Sequence, residues 1–208
     1  MRRLLPLALL LAACTGRYGR RVPNALLEKL PYESRIELLE AENDLALAID
    51  HLDSAEAEIL RTRDALRRAK DQRRDAKSEV SSAADAVSKE VATLAVAEAE
   101  AKVEMLQARQ ALNLRREELQ TLMLSCAQAR FQAARLAVAR KAKVEGSEKL
   151  DPKDFDEQVK ACQTEAAQTQ EKLAEPEKEM ATTKDAWEQR RTDLAKKTFD
   201  ARASPYVE

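Results

Sequence analysis

Stepping through the chain by seven from Leu38 meets Leu45, Leu52, Ile59, Leu66, Arg73, Val80, Val87 and Leu94, an apolar position interrupted only at Arg73. Three residues after the first seven of these lie Ala41, Ala48, Ala55, Thr62, Ala69, Ala76 and Ala83. A repeat of this length and regularity predicts a coiled coil, because apolar residues spaced by three and four keep one face of a helix against a partner. Leu on one edge of the seam and Ala on the other lets two backbones approach closely, as suits antiparallel helix pairs. From Val87 the stripe runs through Val91, Leu94, Glu98, Ala101, Met105, Ala108, Leu112, Arg115, Leu119, Leu122, Cys126, Ala129, Ala133 and Leu136, displaced by one position around the helix. Such a shift lets one helix meet a new partner along its length.

Neither Gly nor Pro occurs between Pro31 and Gly146, and an unbroken helix over 32–145 would reach roughly 170 Å. The weakest stretch is 73–82, where Arg73 takes a core position and Ser81 and Ser82 lower helix propensity. Gly146 is expected to end the helix within a turn at 146–151. Asp151 is expected to cap the next helix, with Pro152 at its first position. Phe155, Val159, Cys162, Ala166, Thr169, Leu173, Pro176, Met180, Thr183, Trp187, Arg190 and Leu194 keep helical spacing, which predicts a C-terminal helix over 152–202, kinked near Pro176, and a tail at 203–208. The second helical span is too short to cover the first. The expected fold is therefore all-α with no β-structure. It is either a two-helix hairpin with one overlong helix or an up-down-up three-helix bundle folded back near 73–82.

Composition fits thin helix-on-helix seams. Aromatic residues make up 3% of the 208 and charged residues 35%, with 36 basic against 37 acidic side chains. That mixture belongs to long helices, and the near balance of charge gives no general attraction to nucleic acid or to an anionic surface.

The N-terminus is built differently. Arg2 and Arg3 precede an apolar run from Leu4 to Leu11, and Ala12 and Ala13 lead to Cys14. A run of about 10 residues would cover roughly 15 Å as a helix, half the hydrocarbon thickness of a bilayer, so it is an export signal in type and not a span. The junction Leu11-Ala12-Ala13-Cys14 resembles the bacterial lipobox. That resemblance implies a signal peptide over 1–13, cleavage between Ala13 and Cys14, and lipidation of Cys14. Thr15 in the following position implies sorting to the outer membrane. Two or three acyl chains anchor durably, at about 0.8 kcal/mol for each buried CH₂. Residues 14–31, with Gly16, Gly19 and Pro23 and the bases Arg17, Arg20 and Arg21, are expected to form a flexible basic tether after the lipidated Cys14.

Little points to catalysis. His51 is the single histidine, on a strongly helical segment, and reads as a surface residue. No phosphate loop, nucleophile elbow or Cys/His metal spacing occurs, so no catalytic residue, cofactor or metal is expected. Cys126 and Cys162 occupy core positions on either side of Gly146. In a symmetric hairpin closing between Glu145 and Pro152, Cys126 would face about residue 171. Cys162 would then lie roughly 13 Å away, beyond the ~7 Å Cα limit of a disulfide. Buried free thiols are the simplest reading. An intrachain bridge requires a staggered loop, and an interchain bridge is the third possibility.

Trp187 and Phe155 read as packing residues, and Arg73 and Arg115 as core-edge residues that extend to solvent or set register. The stretch 61–77 carries eight basic and three acidic side chains. It reads as a solvated face, with cell-wall or lipopolysaccharide anions as the alternative. The expected function is that of a helical envelope lipoprotein on the periplasmic face of the outer membrane, serving as scaffold, spacer or accessory subunit. Its expected partners are the membrane, through the lipid, and other envelope proteins or further copies of itself, with no nucleic acid and no small-molecule substrate. The alternative is a holdase chaperone or a hairpin adaptor of an export machine. The C-terminal ASPYVE lacks the terminal Lys of murein lipoprotein, so wall crosslinking is not expected.

Overall fold

The computed structural model describes residues 18–198. Its helices are α1 (Asn24–Glu28), α2 (Tyr32–Ile36), α3 (Leu39–Ser82), α4 (Ala86–Lys141), α5 (Pro152–Glu171) and α6 (Ala174–Thr198), with a 3-10 turn at Ser147–Lys149 before α5. No strand occurs among the described residues. The long helices pack against one another, so the fold is an all-α helical bundle. The chain divides into two compact units. Unit 1 comprises the described residues up to Ser54 together with Glu118–Glu171, and unit 2 comprises Ala55–Glu117 together with the described residues from Lys172.

Within unit 2, α3 folds back into α4 through Ala83, Ala84 and Asp85. The stretch 73–82, expected to hold the break, is helical to its end, and the turn follows it without Gly or Pro. Asp85 makes the restart. Its Oδ1 accepts the backbone N–H of Ser88 at 2.8 Å and its Oδ2 accepts the Ser88 hydroxyl at 2.9 Å, which satisfies donors that the first turn of α4 would otherwise leave open. Those bonds, the backbone N–H of Ser88 first and its hydroxyl next, hold the Asp85 carboxyl below the ordinary aspartate range. On the other side, the Ser82 hydroxyl donates back to the carbonyls of Ser78 and Glu79.

Ile59, Thr62, Leu66, Ala69 and Ala76 are the buried residues of α3, the heptad seam read from sequence. Leu66 and Ala69 cluster with Val103, Met105 and Leu106 of α4, against which Ala65 and Trp187 also pack. Because Ala contributes little area, polar pairs help define the register. Asn113 Nδ2 donates to Thr62 Oγ1 at 2.9 Å in a buried bond, Arg109 pairs with Glu58, and Lys77 pairs with Glu100 at 2.7 Å. On the α6 side the indole N–H of Trp187 donates to Glu98 Oε1 at 2.7 Å, and Glu98 is only 1% exposed. This bond satisfies a carboxylate oxygen that would be expensive to bury alone.

The single C-terminal helix expected over 152–202 is two helices, with Lys172 and Leu173 between them. Pro176 is the cause. It has no N–H to donate and its ring crowds the carbonyl four residues earlier, that of Lys172. The interruption therefore falls before the proline, which sits in the first turn of α6, where a missing donor matters least. Leu173 is buried, and its carbonyl accepts the N–H of Glu177 at 3.0 Å.

Unit 1 contains α1, α2, the start of α3, the end of α4, the connection after it, and α5. Gly146 does not end α4. Lys143 takes the left-handed conformation at φ 53°, and the N–H groups of Lys143 and Val144 bond to the carbonyls of Arg140 and Ala139 at 3.0 and 2.9 Å. This is a Schellman stop with Lys in the usual glycine position, and Val144 clusters with Val138 to supply its hydrophobic contact. Gly146, at φ +93°, serves the next bend, and a Cβ added there would meet Leu26 Cδ2 at 3.4 Å. Asp151 caps α5 by accepting the N–H of Lys153 at 3.0 Å.

Candidate functional site

The candidate site is the part of unit 1 where the N-terminal segment meets the helices. Ala13 and Cys14, the expected cleavage and lipidation positions, lie outside the described residues, as does the expected signal peptide over 1–13. From Tyr18 onward the chain is packed, so the flexible tether expected over 14–31 is replaced, in its described part, by an ordered seat. Polar contacts help hold it. Tyr18 bonds Glu165 and Arg20 pairs with Asp154, both on α5. The N–H of Val22 donates to Gln132 Oε1 at 2.9 Å, and Arg135 Nη2 donates to Asn24 Oδ1 at 2.6 Å.

Apolar burial adds to these bonds. Val22 clusters with Leu136 and Phe155, with Leu26, Ala133 and Leu150 packed around them. Leu30 and Leu38 cluster with Val138, Ala139 and Val144. The helix α1 begins directly after Pro23, whose fixed φ suits a helix entry. Leu26 of α1 and Leu30, two residues past its end, stand four residues apart and pack into the same cluster. That spacing is the signal that marks this stretch as docked. It is short and lies outside the heptad frame.

Arg135 is the cation at the centre of the seat. It is largely buried, its guanidinium lies 5.4 Å from the Phe131 ring, and a second bond runs from Nη1 to Gln132 Oε1 at 3.1 Å. Burial pushes its pKa down, and the Glu42 carboxylate acts in the opposite sense. Farther along, Lys141 reaches both oxygens of Glu37 at 2.8 and 2.9 Å. Tyr32, Ile36 and Leu39 are exposed apolar residues, lining a shallow groove with Leu27, Leu30 and Leu38.

Cys126 and Cys162 are joined by a disulfide, with Cα atoms 5.5 Å apart. The symmetric hairpin that left them 13 Å apart is corrected by the early stop of α4. The chain turns at Lys143 and is already returning by the 3-10 turn. Arg140 accordingly donates to the carbonyls of Ser147 at 3.3 Å and Leu150 at 3.0 Å. With Arg140 and Leu150 level, about fourteen residues back along α4 and about twelve forward towards and along α5 bring the two cysteines into one layer. Both are buried.

Other residues singled out by sequence fall elsewhere. His51 is exposed on α3, Arg73 is half-buried, and Arg115 is exposed rather than at the core. Phe155 is buried in unit 1 and Trp187 is half-buried in unit 2. The described residues contain no group of three or more His, Cys, Asp or Glu placed to hold a metal ion. None of the described helices is long and apolar enough to cross a membrane. Searches of family models, curated proteins and solved structures find no match to this chain.

Proposed function

We propose that this chain is a lipid-anchored, non-enzymatic helical scaffold on the periplasmic face of a bacterial outer membrane, held through Cys14 and serving as spacer or accessory subunit of an envelope assembly. The observation that carries this reading is the Leu11-Ala12-Ala13-Cys14 junction closing a charged and then apolar N-terminal segment. Two features support it. A buried cystine such as Cys126–Cys162 suits an oxidising compartment outside the cytoplasm. The ordered seat for residues 18–38 would join an anchor at Cys14 to the helices after only a few residues, which suits a part that must hold a fixed position better than a long free leash would.

A second reading, a periplasmic holdase chaperone, is favoured by the exposed side chains of Tyr32, Ile36 and Leu39. The two readings separate in one pair of measurements. Crosslinking in intact cells, followed by membrane fractionation, is expected to recover the chain in the outer-membrane fraction bound to a small set of envelope proteins, and Cys14→Ser is expected to release it. Suppression of an unfolded client's aggregation by purified protein at near-equal ratio, with many weak crosslinked partners, would favour the holdase.

A further inference from the structure

Unit 2 carries a groove of about 510 Å³ along the α3–α4 seam, lined among others by Glu58, Arg61, Thr62, Arg68, Lys102 and Arg109. Four of these are cations and one is a carboxylate. Glu58 is committed at one end, where it meets Arg61 at 3.4 Å and also Arg109. The other two cations have no carboxylate within ion-pair distance among the described residues: Arg68 is exposed, and Lys102 is only 8% exposed, with its Nζ 5.8 Å from the centre of the Trp187 ring. Glu98, one turn before Lys102, accepts the indole N–H through Oε1 and makes no direct ion pair with the ammonium. Lys102 lies against the ring face, and together with Arg68 it leaves two cations on the groove wall without a direct ion pair, which is the charge an anionic ligand would meet.

Two further groups on the same wall narrow the ligand. Thr62 Oγ1 accepts from Asn113, which leaves its own proton to be donated. Gln72 also lines the groove, and its Oε1 is buried without a hydrogen-bond partner. The wall thus offers cations and a hydroxyl proton for an oxyanion, and an unfilled acceptor for a hydroxyl.

We propose that this groove binds a phosphorylated sugar, with Lys102 and Arg68 on the phosphate, the Thr62 hydroxyl assisting, and Gln72 Oε1 accepting from a sugar hydroxyl. Arg and Lys serve differently in such a site. Arg68 presents a planar fork to two phosphate oxygens and Lys102 a point charge. The sugar phosphate can be soluble or borne on a glycolipid, and the recognition chemistry is shared. Nothing in this proposal depends on lipidation of Cys14.

Trp187 is the sole tryptophan and lies against Lys102, so the site has its own reporter. The test titrates the purified full chain, at low ionic strength, with glucose 1-phosphate, inorganic phosphate and glucose. A second arm uses phosphatidylcholine vesicles with and without lipopolysaccharide. Trp187 emission and isothermal titration calorimetry are both read. Saturable binding of glucose 1-phosphate, of the lipopolysaccharide vesicles, or of both is expected, and which arm responds identifies the source. Lys102→Met and Arg68→Gln should each weaken it at least fivefold, and added salt should weaken it further. Arg63→Gln, on the same helix but outside the groove, should leave it unchanged. Arg68 is exposed, so its variant keeps the test decisive if Lys102→Met fails to fold. Absence of saturable binding in both arms, or binding indifferent to Arg68→Gln, would overturn the proposal. Equal affinity for inorganic phosphate and glucose 1-phosphate would overturn its sugar half.

Discussion

The two units draw on one composition, rich in Ala and charge, and stabilise themselves by different means. Both units hold apolar clusters, Val22 with Leu136 and Phe155 and Leu30 with Leu38 and Val138 in unit 1, and Leu66 with Val103, Met105 and Leu106 in unit 2, and unit 1 adds the Cys126–Cys162 crosslink. Unit 2 has no crosslink among its described residues. It is fastened by polar pairs inside or beside the seam: Thr62 with Asn113, Glu98 with Trp187, and Glu58 with Arg109. Apolar burial contributes stability that tolerates small shifts of register, whereas the crosslink, once formed, fixes one register covalently. Paired polar groups contribute less net stability and tolerate fewer registers, because a slip leaves each partner buried and unsatisfied.

The largest expected effect that sharpens this contrast is on the crosslink. Closing a loop between residues 36 apart in sequence is worth about 4 kcal/mol through the entropy it removes from the unfolded chain. Reduction, or the double change Cys126→Ala with Cys162→Ala, should therefore lower unfolding free energy by up to that amount in urea titration. Hydrogen exchange should place the loss in α5 and its α4 partner, with Ala55–Glu117 changed far less. Equal loss of protection in both units would break the comparison.

Next come the cores. Leu136→Ala and Leu66→Ala should each cost about 3 kcal/mol, because each leucine is buried against large apolar neighbours, Val22 and Phe155 in unit 1 and Val103, Met105 and Leu106 in unit 2. In unit 2, Asn113→Ala should cost about 1–2 kcal/mol by leaving Thr62 buried without its partner. Replacing both, with Thr62→Val and Asn113→Leu, should return stability to within about 1 kcal/mol of the parent. If the double change is as damaging as the single one, packing and not polar pairing governs that layer.

The smallest effect is local and depends on pH. The carboxyl of Asp85 titrates below the ordinary aspartate range because it caps α4. Its contribution is therefore present above the unfolded-state value and is lost as pH falls through the folded one. Amide-exchange protection factors at residues 86–89 should fall below about pH 4, the ordinary aspartate value, and Asp85→Ala should show the same fraying at neutral pH. The amide-bearing Asp85→Asn should abolish the pH dependence while keeping much of the cap.

The pattern of apolar residues made the helical class and the α3–α4 seam legible, since Ile59, Leu66, Ala69 and Ala76 are buried where the heptads place them. Asp151 and Pro152 marked the start of α5 for the same reason, because their chemistry acts on adjacent residues. What escaped was set by tertiary context. Lys143 accepts a left-handed conformation that its side chain does not favour, since Val144 and Val138 bury the motif around it. That choice shifts the hairpin by several residues and decides whether two cysteines meet. Asp85 caps a helix without any neighbouring Gly or Pro. Leu26 and Leu30 make a docking face too short to register as periodicity. The seat for residues 18–38 was not legible, because it exists only once α4 and α5 are in place; the lipobox-like junction at Cys14, from which the proposed anchor is read, lies outside the described residues.

The central claim, that the described helices are carried by a lipid on Cys14, is tested most directly by intact-mass and peptide mass spectrometry of the N-terminus of protein isolated from membranes. The account predicts a chain beginning at Cys14, with a diacylglycerol on its sulfur and usually a further acyl group on its new amino terminus, both lost in Cys14→Ser. A chain that begins at Cys14 without acyl mass, or that retains Met1 and an unmodified Cys14, would contradict it.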